Sequence, residues 1–121
     1  MITVCLIIKP GFLHSTIIED VMETFGIRQL LRSNSVFTCL SRKQALFHYA
    51  EHIGRPFFDE LIDYITSDKV LVIKTEVESV EKARRLTQSI REKYKISITK
   101  NVLHCSDSCE AAQRELNNFF N

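Results

Sequence analysis

Two stretches, ITVCLII at 2–8 and KVLVIKT at 69–75, constrain the fold more than anything else in the chain. Both are short, β-branched and apolar almost throughout, so neither shows the polar alternation of a strand with one wet face. Each must be covered on both sides, as a central strand of a sheet flanked by helices. The first runs out at Lys9-Pro10, where buried strand gives way to loop.

The remaining elements follow from spacing. Ile17, Ile18, Val21, Met22 and Phe25 recur at helical intervals and stop before Gly26. Residues 29–40, with Val36, Phe37 and Cys39 in a more polar setting, predict a less buried strand. A stripe of Ala45, Leu46, Tyr49, Ala50 and Ile53 breaks near Gly54 and Pro56, and Phe58, Leu61, Ile62 and Ile65 continue as a short helix. Val80, Ala83, Thr87, Ile90 and Tyr94 form a longer helix, and ISIT at 96–99 predicts a fourth strand. Cys109, Ala112, Leu116, Phe119 and Phe120 mark the apolar face of a last helix, with Asp107 and Glu110 as an Asp form of the capping box. With the extra helical segment set aside, the order is βαββαβ. This is an α+β, ferredoxin-like sandwich: a four-stranded antiparallel sheet with helices packed on it. A chain of 121 residues is expected to make one domain, spanning 1–121.

That topology serves many functions, and composition excludes several. A formal net charge of +1 calls for no strongly electrostatic partner. Neither central strand carries an aromatic residue on which a base could stack, so no specific nucleic-acid binding is predicted. The opening MITVCLII is too short to cross a bilayer and lacks the basic start and cleavage site of a signal peptide. The expectation is a cytoplasmic protein without a membrane partner. Cys5, Cys39, Cys105 and Cys109 contain no CxxC pair and read as free thiols.

The chemistry gathers around KNVLHCSDS at 100–108, where an imidazole stands between buried chain and loop. His104 there is a packed histidine, a metal ligand or a nucleophile. A zinc set of His104, Cys105 and Cys109 lacks a second cluster at finger-like spacing. His14, His48 and His52 carry no comparable context and read as surface or packing residues. On a helix over 79–93, Arg84, Thr87 and Arg91 lie at i, i+3 and i+7 and share one face. Two guanidinium forks with a hydroxyl between them suit a polyphosphate, against the plainer reading of a solvated basic face. Lys9 adds a third cation. In RPFFDEL at 55–61 the two phenylalanines cannot both face one core, which leaves Phe57 nearer the surface and able to stack on a nucleobase.

Taken together, IIKP (7–10), HY (48–49), RPFF (55–58), NVLHCSDS (101–108) and EAAQREL (110–116) resemble the nucleoside diphosphate kinases, in that family's order and over nearly the whole chain. The resemblance implies transfer of a γ-phosphate from a nucleoside triphosphate to His104 and on to a nucleoside diphosphate, a ping-pong covalent scheme. It matches Lys9, Tyr49, Arg55, Arg84, Arg91 and Asn101 to positions around phosphates and ribose, and Phe57, with Leu61 beside it, to the base. Glu115, assisted by Ser106, matches the carboxylate that orients the imidazole. Mg²⁺ would arrive on the nucleotide phosphates, with no metal site built by the protein itself.

The chain also departs from the family. Gly11 replaces an acidic residue, Cys105 a small one, and SDKV (67–70) a Gly-Pro pair. Between Arg84 and Arg91 about ten family residues are missing, including a phosphate-binding threonine and an oligomer loop, far more than ordinary loop trimming. Thr87 is the candidate replacement for that threonine. Loss of the loop predicts a homodimer built on residues 15–40 in place of a larger assembly. It also keeps open a second reading, a kinase-like module of weak or no activity that acts as an interaction or regulatory protein.

Overall fold

A computed structural model describes residues 1–95 and 101–120. The elements run β1 (Ile2–Ile8), α1 (Ser15–Phe25), β2 (Ser35–Cys39), α2 (Arg42–His48), a 3₁₀ turn (Ala50–His52), α3 (Phe58–Ile65), β3 (Lys69–Val77), α4 (Val80–Lys93), β4 (Leu103–Cys105) and α5 (Cys109–Phe120). The two apolar stretches are indeed the central strands. β1 and β3 pair antiparallel from Ile2 opposite Val77 to Ile8 opposite Leu71. β2 flanks β3 and β4 flanks β1, both antiparallel, so the sheet order is β2-β3-β1-β4.

Because side chains alternate along a strand, the central pair feeds two separate cores. Val4, Leu6, Ile8, Leu71 and Ile73 meet Ile17, Val21 and Phe25 of α1 and Ala83 and Ile90 of α4. On the opposite face Cys5, Ile7, Val70 and Val72 meet Ala45 of α2, Tyr49, and Leu61, Ile62 and Ile65 of α3, with Phe119 and Phe120 of α5 packed at the margin. The βαββαβ frame thus has α1 and α4 on one face and an added layer of α2, α3 and α5 on the other. No helix among the described residues is long and apolar enough to cross a membrane.

Local signals explain most boundaries. Gly26 closes α1 in the left-handed region, φ 70°, where a residue without Cβ is unstrained, and its N–H returns to the Glu23 carbonyl. Ser41 and Gln44 form a full capping box on α2.

Three expectations need revision, and a fourth falls outside what the structure describes. ISIT at 96–99 lies outside the described residues, and the strand that flanks β1 is Leu103–Cys105, which puts His104 on the sheet itself. The stripe through Leu46 and Ile53 does not form, because α2 ends at His48 and the chain tightens into the 3₁₀ turn. The inward residues are Ala45, His48 and Tyr49, while Leu46 and Ile53 are exposed. The α5 cap is Ser108, whose Oγ accepts from the Ala111 N–H, not Asp107. Cys109, as the first residue of α5, is exposed, and the helix instead buries Ala111, Ala112 and Glu115.

Candidate active site

The exit of β1 and the short strand β4 bring the polar residues together. At the β1 exit the Lys9 N–H donates to the Val102 carbonyl at 3.0 Å, fixing where the strand ends. Lys9 Nζ donates to Asn101 Oδ1 at 3.0 Å, and the side chain is 4% exposed. Burial, with the neighbouring Arg91 charge, pushes the ammonium down to about 7.

His104 pairs with Ile7 in the ladder and so shares its face, toward α2 and α5. Leu103 and Cys105 turn to the α4 side, into the first core. Glu115, buried on α5, receives the imidazole: His104 Nε2 lies 3.0 Å from Glu115 Oε1. Ser106 Oγ donates to the same oxygen at 2.7 Å while accepting the Cys5 N–H at 3.0 Å. One carboxylate oxygen is therefore tied to β4 and, through Ser106, to β1. Burial, then the charges of Lys9 and Arg91, hold His104 well below the ordinary imidazole value, so the ring is neutral. With Glu115 Oε1 as the acceptor, the proton is assigned to Nε2 and Nδ1 keeps its lone pair.

His104 opens onto a cavity of about 280 Å³ whose wall includes Arg84, Thr87 and Arg91 from α4, Asp107, and His52. The one-face reading of α4 is what the fold builds. Arg91 is steered by its Nε donating to the Leu103 carbonyl at 2.7 Å, next to His104 on β4. Arg84 stays exposed. Thr87 lines the wall, but its hydroxyl donates back to the Ala83 carbonyl at 2.7 Å, as a threonine within a helix commonly does. A larger cavity, about 610 Å³, lies near residues 27–34 and 74–76, away from His104. Chemistry, not size, selects the smaller one.

Tyr49 is buried behind the site, and its hydroxyl has no hydrogen-bond partner among the described residues. Burial, with the Glu115 charge, keeps the phenol protonated. Phe57 is half-buried at the start of α3, its ring centroid 6.3 Å from that of His52. Leu61 lies one turn further on, inside the second core. Arg55 is exposed in the turn before α3. These last three stand outside the cavity wall.

Two histidines read as surface or packing residues belong to this cluster. His48 is buried, with its ring edge-on to His104 at 4.5 Å between centroids. Burial and the adjacent His104 push it down to about 3. His52 lines the cavity. The misread stripe hid both, since placing Leu46 and Ile53 inward turns the helix the wrong way. The signal available was HY at 48–49 beside Ala45, one turn apart.

His48, His104 and Glu115 also place ligand atoms within 4.8 Å of one another. Lys9 and Arg91 make this corner cationic, and Glu115 is already engaged by two hydrogen bonds, so the set acts as a clamp on the imidazole. What the arrangement offers is a neutral, oriented imidazole that shares a cavity with two guanidinium groups.

Comparison with known proteins agrees with this chemistry. The family model described as Nucleoside diphosphate kinase matches residues 3–121. The nucleoside diphosphate kinase of Oceanobacillus iheyensis is 34% identical over 126 aligned residues, covering 95% of this chain and 85% of the relative. That of Saccharolobus solfataricus is 33% identical, covering 95% and 91%. Among solved structures, the Encephalitozoon cuniculi nucleoside diphosphate kinase superposes with a TM-score of 0.85 at 26% identity, covering 98% of this chain and 88% of that one. The Aquifex aeolicus enzyme gives 0.79 at 25% identity, covering 99% and 95%.

Proposed function

The chain belongs to the nucleoside diphosphate kinase family, and from that premise we propose that His104 is the residue through which it moves the γ-phosphate. The observation that carries this reading is the clamp on His104: Nε2 is held at 3.0 Å by Glu115, beside a cavity walled by Arg84 and Arg91. The Nδ1 lone pair attacks the γ-phosphorus of a nucleoside triphosphate. The bond to the bridging oxygen breaks, and the nucleoside diphosphate leaves with that electron pair. An incoming diphosphate attacks the phosphohistidine in the reverse sense and restores the imidazole.

Little covalent work falls to other groups, so positioning and charge do most of it. Arg84 and Arg91 offset phosphate charge, and Lys9, Asn101, Tyr49 and Arg55 complete the polar surround. Phe57 offers its ring to the base, with Leu61 supporting it. Glu115 and Ser106 hold the tautomer. Thr87 contributes wall, since its proton is committed to Ala83. The cavity wall carries two arginines against one carboxylate, Asp107, among the described residues, which suits Mg²⁺ arriving on the phosphates rather than in a protein cage. Bound there, the ion would screen the charge between β- and γ-phosphates.

We read residues 1–121 as one kinase domain, working in the cytoplasm as a homodimer. The four free thiols fit a reducing compartment. β2 lies at the edge of the sheet with Phe37 58% exposed, an apolar surface for a second copy.

Incubation with γ-labelled ATP and Mg²⁺ tests the reading. The wild type is expected to acquire an acid-labile label at His104, discharged by added nucleoside diphosphate, and His104→Ala to acquire none. Label persisting in His104→Ala would place the nucleophile elsewhere. No label on the wild type would favour the interaction module.

A further inference from the structure

Arg91 stands two residues from the end of α4, and helix ends fray unless something outside the helix holds them. In this chain α4 runs without a break from Arg84 to Arg91, so its last turn delivers Arg91 to the cavity wall. Asp20 of α1 holds that turn from outside. Its Oδ2 accepts from Lys93 Nζ at 2.9 Å and from the Tyr94 hydroxyl at 2.8 Å.

We propose that Asp20 is a positioning residue for the contact of Arg91 with phosphate, fixing the last turn of α4 against α1 so that the guanidinium is presented to the cavity. The inference rests on the reading of Arg91 as a phosphate contact. Asp20 has a firm base: Ile17, one turn before it, and Val21, next to it, are buried in the core that α1 and α4 share with the sheet. Tyr94 is the C-cap of α4, its N–H closing the helix on the Ile90 carbonyl at 3.2 Å. Its hydroxyl bond to Asp20 therefore ties down the helix terminus itself. From the other partner, Arg91 Nε reaches the Leu103 carbonyl of β4 at 2.7 Å. The turn is thus strapped both to α1 and to the strand that carries His104. The Lys93 ammonium and then the Tyr94 hydroxyl hold the Asp20 carboxyl below the ordinary carboxylate range, so it is an ionised acceptor. The Lys93 side chain is 59% exposed, and an ion pair so placed adds little stability. The consequence is expected in binding, where a small misplacement of a charged donor is felt, more than in the melt.

The test is a double-mutant cycle read by the Kd for ADP in the presence of Mg²⁺. Asp20→Ala is expected to raise that Kd, and the KM for ATP, on the order of fivefold. Asp20→Asn, which keeps an oxygen acceptor for Tyr94 and Lys93, should restore most of the loss. In an Arg91→Ala background no guanidinium is left to position, so Asp20→Ala should then change the Kd by less than about twofold. In an Arg84→Ala background the full loss should remain. Tyr94→Phe removes one of the two bonds and leaves the carboxylate in place, so a poorly folded Asp20→Ala protein would not shield the proposal. It should show a smaller loss with the same dependence on Arg91. An unchanged Kd in both Asp20→Ala and Tyr94→Phe would overturn the proposal. So would equal losses with and without Arg91, which indicate a general loosening of the fold. Coupling to Arg91 in a protein that binds ADP but never acquires the phosphate label would leave the role of Asp20 standing and sink phosphate transfer alone.

Discussion

The proposed contact of Lys9 with phosphate predicts that nucleotide binding depends on pH. Its Nζ is buried against Asn101 beside Arg91, and its pKa falls from the ordinary 10.5 to about 7. A bound phosphate favours the protonated form and raises that value again. Above about pH 7 binding must therefore take up a proton, and affinity weakens as pH rises. The nucleotide's own phosphates are fully ionised over pH 7.5–9, so a Kd for ADP measured across that range isolates the protein's contribution. It is expected to rise by up to about tenfold per pH unit. Lys9→Gln should bind more weakly and lose most of this slope. A wild-type Kd flat over the same range would mean that Lys9 makes no contact with phosphate.

At the scale of an element, α4 separates two arginines that the sequence presents as equivalent. Both lie on the cavity face, but Arg91 also holds the Leu103 carbonyl through Nε, whereas Arg84 is exposed. Arg84→Ala should weaken ATP binding and leave the melting temperature within a degree or two. Arg91→Ala should weaken binding and also cost about 1 kcal/mol of stability, because a part-buried carbonyl loses its charged donor. Thermal melts without nucleotide distinguish the two. Equal melting temperatures would show that the Arg91–Leu103 bond adds nothing to the fold.

For the whole molecule, acid stability is governed by histidines buried neutral. His48 falls from 6.5 in the unfolded chain to about 3 in the fold. Between these values the unfolded chain binds the extra proton, so stability is full above pH 6.5 and is lost as pH falls below it. The loss is about 1.4 kcal/mol per pH unit for this group alone. His104 shifts in the same direction. Glu115, raised by burial, works the opposite way, so the clean measurement is the difference between wild type and His48→Phe, from which it largely cancels. Denaturant midpoints from pH 7 to 5 should fall less steeply in His48→Phe, and parallel curves would refute the assignment. Assembly belongs to this scale as well. With β2 at the sheet edge and Phe37 exposed, sedimentation equilibrium at micromolar concentration should find a dimer that Phe37→Glu shifts toward monomer. A hexamer would mean that another surface has taken over from the missing loop.

The central strands, the α4 face and the family resemblance around His104 were legible in the sequence because each rests on a short-range pattern. An unbroken apolar run has to be buried on both sides, residues at i, i+3 and i+7 share a helical face, and NVLHCSDS is distinctive as it stands. Tertiary structure alone decided the surroundings of His104. Whether Leu46 or His48 turns inward depends on where α2 gives way to a tighter turn, and that is settled by packing against α5 and β4. The carboxylate of Glu115 reaches His104 from eleven residues away only because α5 folds back across the sheet. The fate of the Thr87 proton depends on which backbone and side-chain groups end up within about 3 Å, a distance that no residue spacing encodes.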